Sequence, residues 1–242
     1  MTVTAIVLAG GKGTRIAGLY PDIPKPLIPA AGRPFLYWVT EWLVAEGLAD
    51  IVYSVGHCAD QIERWVAAQS AERGDAVRLR TVTESSPLGT GGGVRACLDL
   101  CAEWVVVSNG DSLCQASLGP VWRRITDEAL DGALLARTVE DTHRYGSLDV
   151  DGSGRLCGFF EKRPGAGLIN VGVAVFRRAL LEPFPIGVPL SMESEVIPAL
   201  IGRGANLGVV VGKGAFLDIG TPQSVGLAEG FIRTLFPEAR LR

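Results

Sequence analysis

The sequence predicts an α/β fold: a mostly parallel mixed sheet with helices on both faces, continued by a β-rich lobe. Three observations predict it. Over the first half, apolar runs of strand length alternate with amphipathic stretches of helical period. After about Gly132, strand-like runs follow one another through short polar turns. The chain has 242 residues, 48% of them hydrophobic and 20% charged, enough for one substantial core.

The elements follow in order. Residues 3–9 are an apolar strand. Residues 34–46 form a helix, with Pro34 in its first turn and Gly47 just past its end. Phe35, Trp38, Val39, Trp42 and Leu43 share one face of it. Residues 51–55 form a strand, 60–71 a helix, 77–82 a strand, 93–101 a helix and 104–108 a strand. That succession is a βαβ series. Strands are then expected over 133–138, 146–150, 156–161 and 168–176, with a hairpin turn at Asp151-Gly152. Ser191 caps a short helix carrying Glu193 and Glu195 in its first turn. Residues 206–211 and 215–217 are strands, and 221–236 form a closing helix. No repeat or linker divides the chain. The simplest reading is one domain over 1–242, with a first part to about 131 and a second, closing part over 132–242.

Bulk properties exclude several classes. A net charge of −3 provides no cationic field for nucleic acid or an anionic membrane. Apolar stretches such as 171–176 are too short to span a bilayer, and no signal peptide is evident at the start. Cys58, Cys97, Cys101, Cys114 and Cys157 form no C-x-x-C pair. They fit free thiols of a cytoplasmic protein. Neither His57 nor His143 joins Cys97 and Cys101 in a metal-ligand spacing.

The first strand breaks into Gly10-Gly11-Lys12-Gly13-Thr14-Arg15, and Pro24-Lys25-Pro26-Leu27 follows. The triphosphate P-loop needs Ser or Thr after its Gly-Lys, and Gly13 stands there. The dinucleotide fingerprint needs a third glycine where Ile16 stands. Four prolines between 21 and 29 forbid a long helix. The segment is an extended glycine loop flanked by cations, either a surface turn or a phosphate cradle. In an open parallel sheet, ligands bind beyond the carboxyl ends of strands. That rule selects this loop, the 87–93 run Pro-Leu-Gly-Thr-Gly-Gly-Gly, and Asn109-Gly110-Asp111. Glycine lets backbone N–H groups approach an anion. Asp111 is either a metal ligand or part of a tight turn. Asp218 is either a second ligand or a residue preceding the Thr221 cap. Glu161-Lys162 is either a partner of the cradle or a solvated strand edge. Glu84 stands before the glycine run. It is either a solvated turn residue or a carboxylate reading a base edge, which would suit guanine, whose N1–H and N2–H are adjacent donors.

Together these motifs resemble the sugar-1-phosphate nucleotidyltransferases, over nearly the whole chain. Leu8-Ala9-Gly10-Gly11-x-Gly13-Thr14-Arg15 with Pro24-Lys25-Pro26-Leu27 resembles that family's opening. Leu88-Gly89-Thr90-Gly91-Gly92 resembles its base-and-phosphate loop, and Asn109-Gly110-Asp111 its metal turn. Tyr145-Gly146, Glu161-Lys162, Asn170-x-Gly172 and 216–221 (Phe-Leu-Asp-Ile-Gly-Thr) resemble its sugar side. Within the family, the pattern is closest to the D-glycero-D-manno-heptose 1-phosphate guanylyltransferases. Val171 stands where a second glycine is expected, which would reshape the acceptor pocket. The hexapeptide repeats of some relatives are absent, so no acyltransferase is expected.

The resemblance implies a Rossmann-like fold, with GTP and a sugar 1-phosphate as substrates and Mg²⁺ as cofactor. It implies Arg15 on the leaving pyrophosphate, Lys25 at the transferring phosphoryl and Lys162 on the sugar phosphate. Asp111 and Asp218 would hold the metal. Leu8, Ala9, Gly10, Gly11, Gly13, Thr14, Glu84, Leu88, Gly89, Thr90, Asn109 and Gly110 would bind nucleotide. Tyr145, Gly146, Glu161, Asn170 and Phe216 would bind the sugar phosphate. It leaves a homo-oligomer open.

Overall fold

The structure, a computed structural model, describes residues 1–161 and 163–237. Strand β1 (Val3–Leu8) leads through a series of turns to a short hairpin, β2 (Pro29–Ala30) and β3 (Arg33–Pro34), and helix α1 (Phe35–Ala45). Then come β4 (Asp50–Val55), α2 (Ala59–Arg73), β5 (Arg78–Thr83), α3 (Gly89–Cys97), β6 (Trp104–Asn109), β7 (Ser112–Cys114) and α4 (Gly119–Asp127). The second part adds β8 (Gly132–Val139), β9 (Gly146–Val150), β10 (Leu156–Glu161), β11 (Gly167–Arg177) and α5 (Arg178–Leu181). A π-helical turn (Met192–Val196), α6 (Ile197–Gly202), β12 (Leu207–Val211), β13 (Phe216–Asp218) and α7 (Pro222–Leu235) close the chain.

Nine strands form one mixed sheet in the order β10-β9-β11-β6-β1-β4-β5, with β8 beside β11 and β12 beside β8. Strands β5, β4, β1 and β6 are parallel throughout. Side chains alternate between two apolar layers, one on each face. Ala5 and Val7 enter one layer with Ile51, Tyr53 and Trp104, whereas Ile6 enters the other with Val52, Val105 and Val107. Burial on both faces explains why these strands read as unbroken apolar runs. On one face α1 buries Phe35, Trp38, Val39, Trp42 and Leu43, as its spacing predicts. Trp38 there meets Phe236, with ring centroids 5.3 Å apart.

Strand β11 joins the two parts. Its later residues pair with β6 and its first residues with β9, across an irregularity between Asn170 and Ala174. Gly172 takes φ +78° within that bulge. Two expectations change. Pro34 caps α1 from outside instead of occupying its first turn. The glycine run is the start of α3 and not a loop before it. A Cβ on Gly91 would lie 2.7 Å from Val196 Cγ2, and one on Gly92 2.6 Å from the Val188 carbonyl oxygen. Those glycines let the helix backbone seat against a distant segment. Among the described residues, no helix is long and apolar enough to cross a membrane.

Candidate active site

The β7–β13 pairing builds the centre of the site. It sets Asp218 opposite Ser112, and the Ile219 N–H donates to the Asp111 carbonyl at 3.0 Å. Two carboxylates 107 positions apart in sequence are thereby brought to one lysine. Lys25 Nζ lies 2.5 Å from Asp111 Oδ2 and 3.4 Å from Asp218 Oδ1. Pro24 and Pro26 fix the backbone of the short 3₁₀ turn carrying Lys25. Gly220 leaves room for the group, since a Cβ there would lie 2.8 Å from Asp218 Oδ1. The side chains of Lys25 and Asp218 are only 13% and 18% exposed, so their attraction is poorly screened.

Two cavities open on either side of this group. The larger, about 650 Å³, is lined by the first glycine loop, Glu84 and the residues before α3. The smaller, about 240 Å³, is lined by Tyr145, Gly146, Asn170, Phe216 and Asp218. Lys25, Asn109 and Asp111 line both, and so form the seam between them. In the smaller cavity Tyr145 and Phe216 meet edge to face, with centroids 5.6 Å apart. A Cβ on Gly172 would lie 2.6 Å from Asn109 Nδ2, so the β11 bulge and the β6 end touch directly.

The structure brings together most of the residues selected from sequence. Leu8, Ala9, Gly10, Gly11, Gly13, Gly89 and Thr90 line the larger cavity. Thr14 is exposed beyond it in the turns. Leu88 is buried beneath it, and Gly110 anchors the seam by donating its N–H to the Leu8 carbonyl at 2.9 Å. Glu84 lies on the wall with both oxygens engaged: Oε1 accepts from Ser54 Oγ at 3.0 Å and Oε2 from the Leu88 N–H at 2.9 Å. It therefore ties the glycine run to the end of β4 before any base is considered. Arg15 lines the smaller cavity, while Lys12 lines the larger. Val171 is buried in the core, between Asn170 and Gly172, which line the smaller cavity. Lys162 and the side chain of Glu161 lie outside the described residues.

Sequence reasoning passed over Gly56 and His57, which line the larger cavity just after β4. The strand-end rule, applied to β4 as to β1 and β6, finds them. It also passed over Arg144 on the smaller cavity and read Glu193, which lines the same cavity, only as an acidic first-turn residue. Arg144 precedes the Tyr-Gly motif, and one of its guanidinium nitrogens lies 3.9 Å from Asp218 Oδ2.

The fit to a divalent cation rests on the donor set. Among the described residues no cluster of three or more His, Cys, Asp or Glu forms a metal cage. Asp111 and Asp218 are two carboxylates already converging on one positive charge, which suits magnesium held by one or two carboxylates and substrate phosphates. Cys97 and Cys101 do not compete for a metal. Both are buried, Cys101 Sγ contacts the Cys97 carbonyl, and burial pushes each thiol up to about 12.

Comparison with known proteins agrees with this architecture. Residues 4–234 match the family model described as nucleotidyl transferase. A mannose-1-phosphate guanylyltransferase of Mycobacterium tuberculosis is 33% identical over 99% of this chain and 67% of its own length. Other mannose-1-phosphate relatives are longer, and the chain spans between 59% and 61% of them. A D-glycero-alpha-D-manno-heptose 1-phosphate guanylyltransferase of Campylobacter jejuni is 27% identical over 90% of this chain and 95% of its own. The crystal structure of HddC from Yersinia pseudotuberculosis complexed with GMP-PN superposes with a TM-score of 0.79 at 30% identity, covering 96% of this chain and 99% of that one. With the family model matched from β1 to α7 and the strand-end site in place, the chain belongs to the nucleotidyl transferase family.

Proposed function

We propose that the protein transfers the guanylyl group of GTP to a sugar 1-phosphate, with D-glycero-D-manno-heptose 1-phosphate as acceptor. The observation that carries this reading is the seam. A nucleotide-sized cavity and a smaller polar one share Lys25, Asn109 and Asp111, so two phosphorylated substrates would meet there. A phosphate oxygen of the sugar 1-phosphate attacks the α-phosphorus of GTP. A new P–O bond forms, the bond to the β-phosphate oxygen breaks, and pyrophosphate leaves. The nucleophile is already an anion, so no general base is required. Catalysis then consists of holding two anions together and stabilising charge at phosphorus.

Lys25 supplies positive charge at the seam, and Lys12 faces the polyphosphate side. The place of Arg15 and Arg144 on the smaller cavity favours the acceptor phosphate for both, in place of the pyrophosphate role implied for Arg15. Lys162 is proposed as a further cation on that side. Asp111 and Asp218 would hold magnesium, which when bound offsets phosphate charge during transfer. Glu84, with lone pairs left beyond its two protein bonds, is proposed to favour the paired donors of guanine. The product would supply bacterial surface polysaccharide. We place the protein in the cytoplasm, where GTP is available and thiols stay reduced.

The heptose reading is supported by the Campylobacter relative, 95% of whose length the chain matches. A second acceptor, mannose 1-phosphate, is supported by the 33% identity to the Mycobacterium protein. Pyrophosphate release across four nucleoside triphosphates with heptose, mannose and glucose 1-phosphates tests both. GTP with the heptose phosphate is expected to be fastest. Faster turnover with mannose 1-phosphate selects the second acceptor, and a preference for UTP or dTTP overturns the guanylyl reading.

A further inference from the structure

The smaller cavity contains one carboxylate that neither the metal group nor the sequence motifs account for. Glu193 lines it from the π-helical turn Met192–Val196. Such turns recur at functional sites. Its Oε2 accepts from Thr90 Oγ1 at 2.8 Å and from Ser191 Oγ at 3.1 Å. Thr90 in turn lines the larger cavity and accepts from the Met192 N–H at 2.8 Å. The backbones are joined as well: Gly91 N–H donates to the Leu190 carbonyl at 2.7 Å, and Leu190 N–H to the Leu88 carbonyl at 2.9 Å. One side chain on the sugar side is thus wired directly to the first turn of α3 on the nucleotide side. Among the described residues, Glu193 Oε1 has no hydrogen-bond partner.

An ionised carboxylate accepts hydrogen bonds and repels phosphate. In a cavity that takes a sugar phosphate, its fitting partner is a pair of sugar hydroxyls. We propose that Glu193 binds acceptor hydroxyls through Oε1, and that its Thr90 contact couples acceptor binding to the nucleotide cavity. This deepens the proposed function and rests on it. Coupling of this kind is reciprocal: each substrate tightens the other by the same factor.

The test uses calorimetric titration of the full chain. The probes are the sugar 1-phosphate the wild type turns over, inorganic phosphate, and a GTP analogue whose α,β-bridge cannot be cleaved. Hydrogen bonds to a charged partner are stronger than neutral ones, so Glu193→Gln should weaken the sugar phosphate about tenfold, and Glu193→Ala more. The same changes should leave inorganic phosphate binding equal or tighter, because a nearby negative charge is removed. That opposite sign separates hydroxyl binding from general damage. In the wild type, the GTP analogue should tighten sugar phosphate binding about fivefold or more, and Thr90→Val should bring that factor towards one. Unchanged sugar phosphate affinity in both Glu193 variants overturns the proposal, as does equal weakening of both ligands. A coupling factor unaltered in Thr90→Val removes the coupling half. If the wild type turns over no sugar 1-phosphate at all, the proposed function fails and this inference with it.

Discussion

Lys25 sits between Asp111 and Asp218, and that arrangement decides how single substitutions act. Asp111→Asn and Asp218→Asn keep size and remove charge. Each should lower turnover by roughly 10²–10³ or more, the scale for removing one well-placed electrostatic group. Melting temperature should hold, since asparagine can still accept from Lys25 and Lys25 keeps the other carboxylate. Loss of stability with activity retained would mark a structural ion pair instead. Gly11 tests the phosphate cradle separately. A Cβ there meets nothing within 4 Å, so packing does not demand glycine. Gly11→Ala should leave the urea midpoint unchanged and weaken GTP binding, because the methyl group occupies the space the nucleotide needs; unchanged GTP affinity would place the phosphates elsewhere. At this scale, much of the candidate site was legible as a set of residues that converge in space. Lys25, Asp111 and Asp218 stand out because glycine and proline punctuate the chain around strand ends. Glu193 and Arg144 were not, because a charged side chain beside a short turn looks solvated until the opposite wall of its cavity is known.

The elements show what periodicity reaches and what it misses. The helix at 35–45 and the buried strands were legible because their apolar spacing repeats over enough residues. Strand β7, three residues long, is too short to show a period; β13 was expected over 215–217, but not its pairing with β7, which aligns the two carboxylates. The 89–93 glycines look like a loop because they carry no apolar pattern; their helix is specified by its fit against 188–190 and Val196, about a hundred residues away. That fit predicts the sign of a substitution. Gly92→Ala gains about 1 kcal/mol in helix propensity. It also forces a methyl group to 2.6 Å from the Val188 carbonyl and 2.9 Å from Leu88 Cβ, where backbone cannot yield cheaply. Overpacking typically costs about 1–3 kcal/mol, so the clash should win. A lower urea midpoint with unchanged slope is expected. A raised midpoint would show that the helix start tolerates side chains and that its glycines serve the ligand alone.

For the whole molecule, strand order is what joins the two cavities. The alternation of strands and helices implied the parallel half, but not which strand lies beside β6. That neighbour is β11, antiparallel and more than sixty residues later, with Val173 opposite Ser108. On the other side of β6 lies β1, with Leu8 opposite Asn109. The end of β6 is therefore flanked by the first glycine loop on one side and the β11 bulge on the other, and its turn becomes the seam. Such a layout has a kinetic consequence. With both cavities open to Asn109 and Asp111, the proposed donor and acceptor would be held at once, and the sugar phosphate oxygen would reach the α-phosphorus directly. Lys25, the amine at the seam among the described residues, is engaged in ion pairs with two carboxylates and is poorly disposed to attack. A single displacement should follow. Reciprocal plots against sugar 1-phosphate at several fixed GTP concentrations should intersect, and GTP alone should give no stoichiometric burst of pyrophosphate. Parallel lines with such a burst are the signature of a covalent intermediate. They would mean that a side chain takes the guanylyl group first, and that the shared seam serves two successive reactions rather than one.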